Sequence, residues 1–198
     1  DLIAAVTPNV ASGNNGQSVN LIFRHLLSQV SFQFVNTSDY YMEVTDITFA
    51  ANKKGDCEVG STVDSQSTTW ENWSNLQTYT YEGTENYLAP KDGSTYTEYK
   101  PDFQMVIPQK LSEVKADFNV NFYQKIEDTY VIVDSYTYED VVLTGTPAND
   151  DGDNITEWMP SYRYNYVAYF PANPSTIQFS ATVDTWKDDQ VDDNTTND

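Results

Sequence analysis

The sequence predicts an all-β chain folded as an antiparallel β-sandwich. Three observations carry this. Aromatic residues make up 14% of the 198 residues, with 15 Tyr, 9 Phe and 4 Trp; together with abundant Thr, these side chains suit a pleated, half-buried surface. Apolar residues alternate with polar ones in short runs. Clusters of Gly, Pro, Asn, Asp and Ser separate the runs, and periodic helix-forming stretches are scarce. The pattern yields about eight to ten strands, no repeat of fixed period, and enough apolar residues (39%) for a core.

In chain order, "DLIAAV" (1–6) reads as an edge or linking strand and residues 7–18 as a loop. Together, residues 1–18 form an entering segment, 19–186 the sandwich domain and 187–198 an acidic, flexible tail. Val19, Leu21 and Phe23 alternate on one strand face. "RHLLSQ" (24–29) has a briefly helical spacing but is too short for an independent helix. It reads as a bent joint with Leu26 and Leu27 buried. Val30, Phe32 and Phe34 then alternate again. "NTSD" is a turn, 40–51 a strand, and "NKKGDCEVG" (52–60) a polar turn region.

Residues 61–100 read as short strands and long loops. "FQMVIPQ" (103–109) is a strand ended by Pro108. In 116–124, Phe118, Val120 and Phe122 face inward while Asn119 and Asn121 face outward. Residues 130–143 form one or two strands and 144–154 a loop. Residues 162–170 and 175–186 are a final strand pair around "PANP".

Charge excludes some functions. Thirty acidic residues against ten basic ones give −20, which repels phosphate backbones and anionic lipid headgroups. No stretch reaches the roughly 18 apolar residues of a membrane span. Cys57 is the only cysteine, so neither an intrachain disulfide nor a CxxC site can form. A start at Asp1 without a signal sequence is expected for a mature or trimmed product.

Residues that could carry chemistry are few. His25 is the only histidine. A base needs a nucleophile or an orienting carboxylate beside it, no GxSxG-type motif is present, and a zinc site here would be carboxylate-dominated. A structural role is the favoured reading. Asp150, Asp151 and Asp153 in "NDDGDN" could meet calcium, but the EF-hand spacing is absent and a solvated turn accounts for them. Asp188, Asp189, Asp192 and Asp193 of the tail read the same way.

A glycosidase needs two carboxyls facing each other across a cleft, a condition so many acids meet by chance. Trp70 and Trp73, or Tyr162, Tyr164 and Tyr166, could form a sugar-stacking platform. Filling and edging the core is the favoured reading for them, and still more for Trp158 and Trp186. Cys57, placed in a polar turn between Asp56 and Glu58, is a poor nucleophile because the adjacent charge disfavours thiolate. No catalytic residue, cofactor or metal is expected.

Four stretches together resemble the fimbrillins of Bacteroides-type bacteria, subunits of type V pili. "VNLIFRHLLSQVSFQF" (19–34) is similar to the family's strand, histidine-containing joint and alternating strand. "FQMVIPQKL" (103–111) is similar to its "IPQ" strand, "WMPSYRYNYVAYF" (158–170) to its "W-x-P-G-x-x-Y-x-Y" strand, and "IQFSATVDTW" (177–186) to its closing strand. They occur in the family's order across nearly the whole chain. One departure stands out: Ser161 replaces the usual Gly after "W-x-P".

The resemblance implies a transthyretin-like, Greek-key sandwich, the second of two such domains, and makes His25 part of a joint with no catalytic role. It further implies a surface pilus subunit, exported as a lipid-anchored precursor to the outer membrane, that joins other pilin subunits by strand exchange. The C-terminal tail carries only Val191 as an apolar residue and is a poor donor strand. A tip or accessory adhesin, or exchange of 175–186, is favoured instead, with a host protein or glycan as the adhesion partner. Two alternatives stay open: a surface glycan-binding module of a carbohydrate-utilising system, signalled by exposed aromatics around a groove, and a carboxylate hydrolase, signalled by two acids in one cleft.

Overall fold

The computed structural model describes residues 1–5, 21, 23–60, 68–147, 154–171, 177 and 179–186. Thirteen strands and no helix occur among them: β1 (Ile3–Ala5), β2 (Phe23–His25), β3 (Ser28–Asn36), β4 (Tyr41–Val59), β5 (Thr68–Thr80), β6 (Thr97–Tyr99), β7 (Gln104–Val106), β8 (Lys115–Ile126), β9 (Thr129–Val142), β10 (Thr146–Pro147), β11 (Asn154–Ile155), β12 (Tyr162–Phe170) and β13 (Ser180–Thr185). Of the two large sheets, one runs β13-β12-β3-β6, with β7 also on β3, and the other runs β5-β4-β8-β9; β1-β2 and β10-β11 form two small two-stranded sheets.

The two sheets close on an aromatic core, as alternation requires. Val30, Phe32 and Phe34 of β3 and Tyr164, Tyr166 and Phe170 of β12 face Met42, Val44 and Phe49 of β4 and Phe118, Val120 and Phe122 of β8; all are buried. Ring contacts bridge the layers: Phe34 meets Phe118 at 5.2 Å edge-on, and Phe49 meets Trp158 at 5.7 Å edge-on.

The sandwich is as expected, and most ladders are antiparallel. One is not: β12 runs parallel to β3 over eight residue pairs, from Arg163↔Gln29 to Phe170↔Asn36. Alternation reads the face of a strand but not the direction of its neighbour. The chain can therefore return to β3 from a distant segment without any local signal.

Three local expectations are corrected. Residues 52–59 of the expected turn region are instead the outer half of β4, so Cys57 sits on a strand opposite Trp70 of β5. Residues 68–80 form one strand rather than short strands and loops. Both belong to a hairpin arm that outruns β8, whose pairing with β4 ends at Phe49↔Ala116. An arm without a partner on one side shows no clean alternation. Lastly, the joint at 24–29 contains no helical turn: Phe23–His25 is a strand, and Leu26 is buried while Leu27 is only half-buried. Residues 7–18, Asp150, Asp151, Asp153 and the tail 187–198 lie outside the described residues.

Candidate functional site

The hairpin arm of β4 and β5 leans over the segment between β7 and β8, and a groove of about 320 Å³ lies between them. Trp70 and Trp73 form one wall; Pro108, Trp158 and Met159 form the other. Each of these two tryptophans is locked by its indole N–H. Trp70 Nε1 donates to the Leu26 carbonyl at 2.9 Å and Trp73 Nε1 donates to the Pro108 carbonyl at 2.8 Å. Both indoles are half-buried.

Space for Trp73 comes from Gly55, at an irregularity in the β4–β5 register. A Cβ there would lie 3.3 Å from the Trp73 ring, the Ile107 side chain and the Glu71 carbonyl. Lys110 and Glu157 face each other at the lip, joined by an isolated antiparallel bridge.

The far wall is stitched together by the "W-x-P" segment. Trp158 N donates to the Gln109 carbonyl at 2.9 Å, and its Nε1 donates to the buried Tyr166 hydroxyl at 3.0 Å. Met159 N donates to the Tyr164 hydroxyl oxygen at 2.8 Å, while Ser28 Oγ donates to the Met159 carbonyl at 2.7 Å. Burial raises the Tyr164 hydroxyl to a pKa of about 12 and Tyr166 higher still, so both are neutral donors and acceptors. The groove is thus a rigid aromatic slot with one cation and one anion at its rim. It can stack a ring and hydrogen-bond polar groups; it brings no nucleophile and base together.

His25 stands next to this slot as part of the joint. Its ring is 7% exposed and stacks on Trp186 at 3.6 Å with the planes 6° apart. Its Nδ1–H donates to the Asp1 carboxylate at 2.6 Å, and its carbonyl accepts the Ser161 hydroxyl at 2.5 Å. Ser161 adopts φ +64°, the left-handed region that favours glycine. The departure from the family pattern therefore keeps the turn and adds a hydrogen bond to the joint.

Tyr162, Tyr164 and Tyr166 are not a platform, since Tyr164 and Tyr166 are buried in the core. Trp158 and Trp186 are buried too. Burial raises the Cys57 thiol above its ordinary value, so it is a poor nucleophile for a reason other than its acidic neighbours alone. No cluster of three or more His, Cys, Asp or Glu side chains suited to a metal ion occurs among the described residues. Sequence reading missed the contribution of Lys110, Glu157 and Met159, which carry no motif of their own.

A β-sandwich with no helix among the described residues, with long strand edges and an aromatic slot, defines a class of all-β modules. Within that class the chain belongs to the fimbrillin-like family, whose profile matches residues 1–186. This is a structural and adhesion family of cell-surface fimbriae, not an enzyme family.

Among solved structures, the chain is similar to a fimbrial protein from Bacteroides vulgatus ATCC 8482, at 12% identity and a TM-score of 0.55. The match covers 90% of this chain and 60% of that one. Two structures each described as a "putative cell adhesion protein" match more loosely. That from Bacteroides uniformis ATCC 8492 has 12% identity, coverage of 93% and 66%, and a TM-score of 0.34. That from Bacteroides ovatus ATCC 8483 has 11% identity, coverage of 94% and 61%, and a TM-score of 0.37. The chain thus spans 60–66% of the length of these structures. No curated protein matches it.

Proposed function

We propose that the chain is a structural subunit of a cell-surface fimbria, joined to neighbouring subunits by β-strand exchange. The observation that carries this is the setting of β13. It lies at the edge of its sheet beside β12, and its Ala181, with Phe179 just before the strand, is lodged in the core. A strand held by one ladder and by alternate side chains in core pockets is one that an equivalent strand from a neighbour can replace. Repeated head to tail, such an exchange builds an open filament.

Residues 175–186 are the exchanging segment in this reading, because the acidic tail offers only Val191 to set register. A tip or accessory position follows more readily than a stalk position. The precursor is exported and lipid-anchored at the outer membrane. The test is surface material from cells making the full-length protein, run unboiled on a denaturing gel. Heat-sensitive complexes of this chain with at least one other subunit are expected. A monomer alone, with the protein still on the surface, overturns strand exchange.

A second reading, surface glycan binding, is favoured by the locked Trp70–Trp73 slot. Its volume admits a ring of sugar size, and the indole faces offer a stacking surface. A glycan array with wild type and Trp70→Phe/Trp73→Phe tests it. Binding lost in the double variant supports this reading; no glycan bound by wild type ends it.

A further inference from the structure

The four-stranded sheet carries a tyrosine cluster at the end remote from the tryptophan slot. Tyr41 of β4, Tyr123 of β8 and Tyr130 of β9 meet there with Tyr87, from the loop after β5. Tyr87 packs on Tyr130 at 4.3 Å and on Tyr123 at 4.6 Å, and Tyr41 meets Tyr130 edge-on at 5.0 Å. Beside the cluster lies a cavity of about 480 Å³ lined by Tyr40, Tyr41, Tyr123, Asp39, Lys125 and Glu127, among others.

The chemistry of this pocket is that of a cation receptor. Aromatic faces carry negative charge density and attract ammonium and guanidinium groups. Carboxylates surround them: Asp39, 3.5 Å from Lys91; Glu127 at the rim; and Glu43, which accepts the Tyr123 hydroxyl at 2.6 Å. The chain's own Lys125 already places its Nζ 5.6 Å from the centre of the Tyr130 ring. Tyrosines also supply large contact area with few rotatable bonds. A surface at −20 concentrates cations and repels phosphates and acidic partners.

We propose that this tyrosine end is a recognition site for a lysine or arginine side chain presented by a partner protein. In the unbound chain Lys125 sits over one of its rings as an internal competitor. The site is independent of strand exchange and of the tryptophan slot, so its fate does not follow theirs.

The test is a titration of the chain, isotope-labelled in its tyrosine rings, followed by nuclear magnetic resonance. The probes are Nα-acetyl-lysine amide and Nα-acetyl-arginine amide at fixed ionic strength, with Nα-acetyl-glutamine amide and sodium chloride as controls. Saturable shifts at Tyr41, Tyr87 and Tyr130 are expected from the basic probes alone. Tyr130→Leu should weaken binding about two- to fivefold, the worth of one exposed cation–π contact, and Lys125→Ala should tighten it by a similar factor. Lys125 is exposed on the rim, so its removal does not threaten folding. The proposal is overturned by unmoved tyrosines, by equal shifts from glutamine or salt, or by an affinity indifferent to Lys125→Ala.

Discussion

The side-chain amide of Gln109 pairs with the main chain of Asn52 in both directions. Its Oε1 accepts from Asn52 N at 3.0 Å and its Nε2 donates to the Asn52 carbonyl at 3.2 Å. β4 has by then lost β8 as a neighbour, and one buried side chain stands in for a strand. The same residue bonds Trp158 N through its carbonyl, so Gln109 ties the hairpin arm to the far wall of the slot.

Replacing Gln109 with Leu should therefore cost far more than a surface change. Two main-chain groups of Asn52 lose their partners at a site only 2% exposed on the Gln109 side. At about 1–3 kcal/mol for each buried polar group left unpaired, a loss of about 2–6 kcal/mol in urea unfolding is expected. A loss below about 0.5 kcal/mol, the range of an ordinary surface substitution, would mean that the arm does not depend on this pairing.

Ser161 offers a paired comparison. Ala there keeps the positive φ and loses the bond to the His25 carbonyl, so about 1 kcal/mol of stability should go. Gly loses the same bond but relieves the left-handed conformation, worth roughly 1 kcal/mol. Ser161→Gly should thus unfold close to wild type and above Ser161→Ala. The reverse order of urea midpoints would show that the turn carries no backbone strain.

For His25 the stack and the carboxylate can be separated. His25→Ala removes the ring from Trp186 and the hydrogen bond from Asp1, and about 1–3 kcal/mol should be lost. His25→Phe keeps a ring against Trp186 and should lose less. Trp186 fluorescence should change more in the Ala variant than in the Phe variant. Equal stability of all three proteins would remove the histidine from the joint's energetics.

The sequence made the sandwich legible because core alternation is strict where a strand is covered on one face and neighboured on both edges. Phe118, Val120 and Phe122 are the clear case, with β4 on one side and β9 on the other. Legibility failed on the β4–β5 arm, where Cys57 and Trp70 pair beyond the reach of β8. No alternation marks a strand that lacks a covering layer. The tryptophans of the slot were visible as a candidate stacking pair, but the groove they line was not. Their lock partners, the Leu26 and Pro108 carbonyls, are main-chain groups that every residue carries and no motif announces.

Alkali should find the core through its tyrosines. Burial lifts Tyr164 from 10.0 to a pKa of about 12 and Tyr138 likewise to about 12, with smaller contributions from Tyr136 and Asp134; Tyr166 lies higher, burial again dominating. In the unfolded chain these phenols ionise near pH 10, while in the folded chain they hold their protons longer. The folded state thus binds more protons above pH 10, and stability falls as pH rises. The contribution is intact below about pH 10 and is lost progressively towards pH 12. For Tyr164, 4% exposed, a two-unit displacement amounts to about 3 kcal/mol at most. Tyrosinate absorbance should rise in step with loss of tertiary structure for the buried phenols. Tyr164→Phe removes the titrating group together with its bond to Met159 N, so that variant should start less stable and lose less of its stability between pH 10 and 12. An unchanged pH slope in Tyr164→Phe would show that this phenol does not drive alkaline unfolding.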